Sequence, residues 1–226
     1  MNKAFYHLTL PLIILILHST GIVASSIHYR AHSVGDSDTI AKLIHPEVKR
    51  IFYDFPLEKS SDELREFISN DIRFEIIDTV HNNQKTASLF LATAADKGLI
   101  DSTPDSMQVQ FALGNTLLAI EKGSEADFRN IMLIICKYYF SNEQLVEKEY
   151  EKMLDRLCPI LKDSTSEKSV SPYKIGLETG QMIMNGKLFE HFKPYYRIGV
   201  SVICMLPTSQ SKPVYILEIV FGKEDK

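Results

Sequence analysis

The sequence predicts an α+β fold: an N-terminal multi-helix bundle, or stack of helical hairpins, followed by a small C-terminal antiparallel β meander. Three observations predict it. Helix start and stop signals recur through the first two-thirds of the chain. Beyond Pro194 the apolar residues alternate with a period of two. A stretch rich in Ser, Lys and Thr, residues 163–172, separates the two patterns. The expected organisation is a signal peptide over 1–25, a helical region over 26–162, a linker over 163–172, and a β-rich region over 173–226 packed on the helices.

The chain opens with Lys3, an apolar run over 8–17, and small residues through Ala24, Ser25 and Ser26. That is the layout of a secretory signal peptide cleaved near Ala24 or Ser25. It implies a secreted or periplasmic address. The rival, an uncleaved anchor, needs about 20 mostly apolar residues. Here His18, Ser19, Thr20 and Gly21 interrupt the run, so no membrane span is expected after cleavage. No Cys lies near the site, which argues against a lipid-modified N-terminus.

Asp36, Ser37 and Asp38 are N-cap candidates for a first helix carrying Ile40, Leu43 and Ile44. Pro46 fits the first turn of the next helix, because its missing N–H would have no partner there anyway. Ser60 and Glu63 form a capping-box signature. Leu64, Ile68, Ile72 and Ile76 then repeat at four, predicting a long helix to about Val80. A helix over 86–97 is ended by Gly98, placed where a left-handed residue closes a helix. Another opens at Pro104, with Met107, Phe111 and Leu117, and closes at Gly123. The run Ile131, Met132, Leu133, Ile134, Ile135, Cys136 is apolar on all sides and reads as a central helix. Ser141 with Gln144 caps a helix bearing Val146, Tyr150, Met153 and Leu157, and Pro159 marks its end.

Asn185-Gly186 lies between apolar segments, and both residues tolerate the positive φ of a type I′ turn, so a hairpin is predicted there. A helix over 177–184 competes, which leaves 173–192 open between strand and helix. Ile198, Val200, Val202 and Cys204 alternate, as do Tyr215, Leu217, Ile219 and Phe221. Both segments read as half-buried antiparallel strands. Residues 214–221 hold only Glu218 as a charge, so this last strand invites pairing along a free edge.

The 226 residues are 45% hydrophobic and 24% charged, a globular balance. Loss of residues 1–25 leaves 201, with 24 basic against 29 acidic side chains. That mildly acidic surface is unlike a nucleic-acid binder. The spacings of the three cysteines, Cys136, Cys158 and Cys204, match no zinc pattern. A disulfide between Cys136 and Cys158, on consecutive predicted helices, stands against three separate buried thiols. No Asn-x-Ser/Thr acceptor occurs.

Site candidates are few, and each has a plainer reading. His28 and His32 lie four apart with Asp36 and Asp38 following, but a metal site also needs a third ligand on a fixed scaffold and this segment shows no strong helical pattern, so no metal site is expected. Gly35-Asp36-Ser37 has the form of a hydrolase nucleophile block. No strand precedes it and no Asp-x-x-His follows near the C-terminus, so Ser37 reads as a cap residue. Cys158 is the most accessible-looking thiol, yet its flanks match no protease block. His45, His81 and His191 read as structural or solvent-facing. Tyr138, Tyr139 and Phe140 read as core or interface. Tyr195, Tyr196, Tyr215 and Ile219 form the candidate interaction surface, since Tyr joins a large contact area to a polar tip.

The sequence names no family and no catalytic constellation, and no cofactor is expected. Its functional expectation is an exported, non-enzymatic interaction or ligand-binding module. Its partner would be another exported or envelope protein. The alternative is a small secreted hydrolase whose catalytic residues meet only in the fold.

Overall fold

The computed structural model describes residues 44–81, 87–94, 98–117, 128–177, 180–192, 195–207 and 212–224. The predicted signal peptide, the predicted helix around Ile40, His28 with His32, and Gly35-Asp36-Ser37 lie outside them.

Three helices and eight strands form the described architecture. Helices α1 (Pro46–Ile51) and α2 (Ser61–Asn70) precede strands β1 (Phe74–His81), β2 (Ala87–Ala94), β3 (Ser106–Leu117) and β4 (Phe128–Phe140). Helix α3 (Glu143–Leu161) then leads into β5 (Ser166–Leu177), β6 (Gly180–Phe192), β7 (Tyr195–Pro207) and β8 (Val214–Glu224). All eight strands form one antiparallel sheet in the order β1-β2-β3-β4-β8-β7-β6-β5. The described residues are therefore written twice in a similar grammar: two helices and then a four-stranded meander in the first unit, one helix and then a four-stranded meander in the second. The last strands of the two units, β4 and β8, pair at the centre.

Local chemistry starts the helices. Pro46 opens α1, and the His45 side chain accepts the Glu47 N–H at 3.1 Å. Ser60 and Glu63 close the capping box of α2. Asn142, one residue beyond the predicted Ser141, accepts the N–H of Gln144 at 2.9 Å and starts α3. Pro159 sits inside α3 rather than ending it.

The main core lies between the helices and one face of the sheet. Leu64 and Ile68 of α2 and Val146, Met153, Leu157 and Leu161 of α3 bury against it. The sheet supplies Val109 and Phe111 of β3, Ile134, Cys136 and Tyr138 of β4, Ile198 and Val200 of β7, and Leu217, Ile219 and Phe221 of β8. Phe55, after α1, stacks on Phe74 and meets Phe111 edge-on, both with ring centroids 4.9 Å apart. Such aromatic pairs add to simple area burial.

The predicted N-terminal helical bundle is overturned by this sheet. The helix expected over 60–80 stops at Asn70, and Phe74–His81, with its β-branched Ile76, Ile77, Thr79 and Val80, is strand β1. The helices expected over 86–97, from Pro104 to Gly123, and through 131–136 are replaced by β2, β3 and β4. The run 131–136 is apolar all round because β4 is central and buried on both faces. Leu133 and Ile135 on one face are as enclosed as Ile134 and Cys136 on the other. The stretch 163–172 read as a linker contains the start of β5, and 173–192 is strand on both sides of residues 178–179.

Asn185-Gly186 is not a turn. Both residues lie within β6, opposite Val202 and Ser201. A Cβ on Gly186 would come within 2.4 Å of the Val200 carbonyl oxygen, so glycine is there to let β7 approach. Gly98 does take the left-handed conformation predicted for it, at φ 58°, but in a turn that follows β2. A Cβ there would press on the Tyr53 ring at 3.2 Å.

Candidate functional site

Two places carry chemistry that the fold alone does not require. The first is a cleft of about 500 Å³ between α3 and the β5–β6 edge. One wall is Tyr150, Leu154, Cys158 and Pro159, with Glu151 and Asp155 beside them; the other is Ser169, Asn185 and Lys187. The helix spacing of 150, 154 and 158 brings these three to one face. Lys187 donates to Glu167 at 2.6 Å, and that bond raises its pKa.

Cys158 is half-buried. Burial pushes its thiol up, and the nearby Lys187 only partly opposes this. Burial likewise raises the Tyr150 phenol, with Glu151 adding to it. Neither group is therefore activated as a nucleophile at neutral pH, because the attacking species is the thiolate or phenolate.

The second place is on the opposite face of the sheet. The register aligns Gln108, Lys137, Glu218 and Ser201 side by side across β3, β4, β8 and β7. Lys137 and Glu218 are each 1% exposed and face one another at 3.6 Å, too long for a hydrogen bond. Burial raises the Glu218 carboxyl, and Lys137 only partly offsets that. Burial, and secondly the Glu218 charge, also raise Tyr139, whose hydroxyl donates to Gln108 at 2.8 Å. The Oε2 of Glu218 and the Oε1 of Gln110 are buried without a hydrogen-bond partner among the described residues. An unsatisfied buried acceptor costs about 1–3 kcal/mol.

A third cluster joins the two halves of the chain. Glu149 of α3, 2% exposed, accepts the N–H groups of Asp101 and Ser102, both at 3.1 Å, and the Ser102 hydroxyl at 2.6 Å. Lys152 bridges Asp101 at 2.7 Å and Glu149 at 3.4 Å. This clasp holds the approach to β3 against the helix that begins the second unit.

The predicted site residues scatter. Cys136, Cys158 and Cys204 are free thiols; Cys136 is fully buried and Cys204 half-buried. Tyr196 and Ile219, proposed for an interaction surface, are at most 2% exposed in the main core, and Tyr215 is half-buried. The backbone of Tyr195 opens β7. Strand β8 has no free edge, because β4 and β7 flank it. Among the described residues the sheet instead ends at β1 and β5. His191 stacks on Tyr196 with centroids 4.8 Å apart. His45 caps α1, and the backbone of His81 ends β1. Tyr138 is buried and shares a 3.1 Å hydrogen bond with Tyr53, and Phe140 is core.

Lys137 was missed. A usable signal lay in the sequence: Lys137 directly follows one apolar run, and Glu218 is the lone charge in another. Two isolated opposite charges in two apolar strands point to a pair. Only the register shows that they meet.

Among the described residues, no group of three His, Cys, Asp or Glu side chains is placed to hold a metal. Nor, among them, is any helix long and apolar enough to cross a membrane. Comparison with protein-family models and with curated proteins finds no match. Among solved structures the chain is similar to LpqN of Mycobacterium tuberculosis, described as involved in cell envelope biogenesis. The two share 11% identity over 72% of this chain and 85% of that one, with a TM-score of 0.22. A likeness at that score carries no argument about fold or function.

Proposed function

We propose that the chain is an exported, non-catalytic binding module that takes a ligand in the cleft between α3 and β5–β6. The supporting observation is the chemistry of that cleft. It joins apolar surface from Leu154, Pro159 and the Tyr150 ring to polar groups from Ser169, Asn185 and Lys187. That mixture is what small-ligand sites use: apolar contact for affinity and a few polar groups for orientation. Its thiol and phenol are both pushed away from ionisation, which favours holding a molecule over attacking one. Export rests on the N-terminal sequence pattern, and a protein ligand would then be another exported or envelope protein.

Photo-cross-linking in the native host tests this reading. A benzophenone amino acid at Asn185, exposed at the cleft, is compared with the same group at Lys174, exposed on β5. Adducts are read by mass spectrometry. A discrete adduct from position 185, lost when Ser169→Trp fills the cleft, supports the reading. Equal capture from both positions, or none from 185, overturns it.

A further inference from the structure

We propose that the cleft between α3 and the β5–β6 edge selects an amphipathic cation. An ammonium group sits between Glu151 and Asp155, and its apolar body lies on Leu154, Pro159 and the Tyr150 ring. The inference rests on the reading of that cleft as a ligand site and names the class of ligand it takes.

The helix wall sets the charge. Glu151 and Asp155 line the cleft as exposed side chains four residues apart, so they stand side by side on α3. Among the described residues neither has a hydrogen-bond or ion-pair partner. The opposite side of the same helix is different: Glu149, Lys152 and Arg156 all have ion-pair partners. Like charges at a spacing of four repel one another. A cation placed between them turns that repulsion into two attractions.

The sheet wall does not supply the missing counter-charge. Lys187 is the one cation lining the cleft among the described residues, and Glu167 already holds it at 2.6 Å. Three carboxylates, at positions 151, 155 and 167, therefore stand against one ammonium, a net charge of −2. An anionic ligand would meet two unpaired carboxylates opposite a lysine that is engaged elsewhere. An uncharged ligand would leave the repulsion on α3 as it stands.

The remaining lining suits an apolar body behind a cationic head. Leu154 is nearly enclosed, and Pro159 and the Tyr150 ring extend its apolar surface. Burial, and secondly the Glu151 charge, raise the Tyr150 phenol, so the ring stays neutral and its face attracts cations. The Ser169 hydroxyl and the Asn185 amide oxygen are acceptors on the facing wall. A cleft of about 500 Å³ falls within the size of small-molecule sites. Because Glu151 and Asp155 are solvated, each ion pair with the ligand is weak and screened by salt. Charge therefore selects the ligand, and the apolar body holds it.

The test uses the full mature chain labelled with 13C at its leucine methyls, with Leu154 as the reporter in the cleft. It is titrated at neutral pH with octylammonium, with octanoate, which reverses the charge, and with putrescine, which lacks the apolar tail. The expected result is a saturable shift of the Leu154 methyls with octylammonium, at an affinity at least tenfold above the other two. Glu151→Gln/Asp155→Asn should weaken octylammonium about tenfold, the sum of two solvated ion pairs. Raising the salt to 0.5 M should weaken the parent similarly and the double variant little. Glu147→Gln, one turn outside the cleft, should change the affinity less than twofold. Octanoate binding as tightly as octylammonium, or an undiminished affinity in the double variant, would overturn the proposal while leaving the cleft a ligand site, since Leu154 would still report occupancy. No shift with any of the three would also overturn it, and the adduct at position 185, present or absent, would then decide the wider reading of the cleft by itself.

Discussion

Glu149 and Glu218 are buried to nearly the same degree, 2% and 1% exposed, yet burial leaves them in opposite states. For both, loss of water is the largest influence and pushes the carboxyl up. Around Glu149, the Ser102 hydroxyl, the Asp101 and Ser102 N–H groups and Lys152 together reverse that push, and its pKa ends below the ordinary value. Around Glu218, Lys137 stands at 3.6 Å and one oxygen has no donor, so its pKa ends above it. Burial alone does not set the state of a carboxylate; the number of donors brought to it does. Glu149 sits on a helix whose loop neighbour can offer backbone N–H groups. Glu218 sits on a central strand whose own N–H groups are committed to the ladder on both sides.

The sharpest way to break this comparison is to remove each partner. Lys137→Met leaves Glu218 enclosed with no counter-charge and should cost about 3–5 kcal/mol in urea unfolding at neutral pH. The double variant Lys137→Met/Glu218→Leu should recover that loss, ending neutral or up to about 4 kcal/mol more stable than the parent. A double variant as unstable as the single would show that the pair itself holds the β4–β8 seam. Ile219→Lys, next to Glu218 in sequence but fully buried in the main core, should prevent folding rather than weaken a strand-mediated partner.

At Glu149 the expected loss is smaller. Glu149→Ala strands the Asp101 and Ser102 N–H groups and should cost about 2–3 kcal/mol, with Glu149→Gln intermediate because one acceptor oxygen remains. Hydrogen exchange at Asp101 and Ser102 should rise in the Ala variant. Unchanged protection there would mean that the loop is held by something other than this clasp.

How much of this was legible in the sequence follows from which signals are local. The capping box of Ser60 and Glu63, Pro46 at the start of α1, and the Val146–Met153–Leu157 stripe of α3 are satisfied within a few residues, and those helices form. Strands β7 and β8 alternate in sequence and were legible too. Strand β3 alternates just as well, with Met107, Val109 and Phe111 toward the helices and Gln108 and Gln110 away, but its apolar spacing also fits a helical stripe. Strand β4 shows no alternation at all, because both its faces are buried. Neither polar site could be read directly, since each depends on pairs far apart in the chain: Lys137 with Glu218, and Glu149 with Asp101 and Ser102.

The two carboxylates should also answer pH with opposite signs. Glu149 has a folded pKa below the unfolded value of about 4.3, so the folded state binds its proton less tightly. Its contribution is fully present above that value and is lost as pH falls through the lowered folded value. Glu218 has a folded pKa above the unfolded one, so the folded state binds its proton more tightly. Its cost therefore appears as pH rises from the ordinary carboxylate value through the raised one. Stability measured against pH should show Glu149→Gln flattening the acid limb and Glu218→Gln flattening the limb above it. Parallel curves for the two variants would mean that the carboxylates share one state and that the donor count does not separate them.

The smallest effect asks whether the clasp depends on the helix that carries it. Asn142 starts α3 by accepting the Gln144 and Leu145 N–H groups at 2.9 and 3.4 Å, less than two turns before Glu149. Asn142→Ala should cost about 1 kcal/mol. Combined with Glu149→Gln, the losses should add to within about 0.5 kcal/mol if the clasp is fixed by the loop's own N–H groups. A combined loss well short of additive would mean that fraying the first turn of α3 already frees Glu149. The low pKa of Glu149 would then depend on the cap as much as on its direct donors, and the contrast with Glu218 would lie in how firmly each element is held.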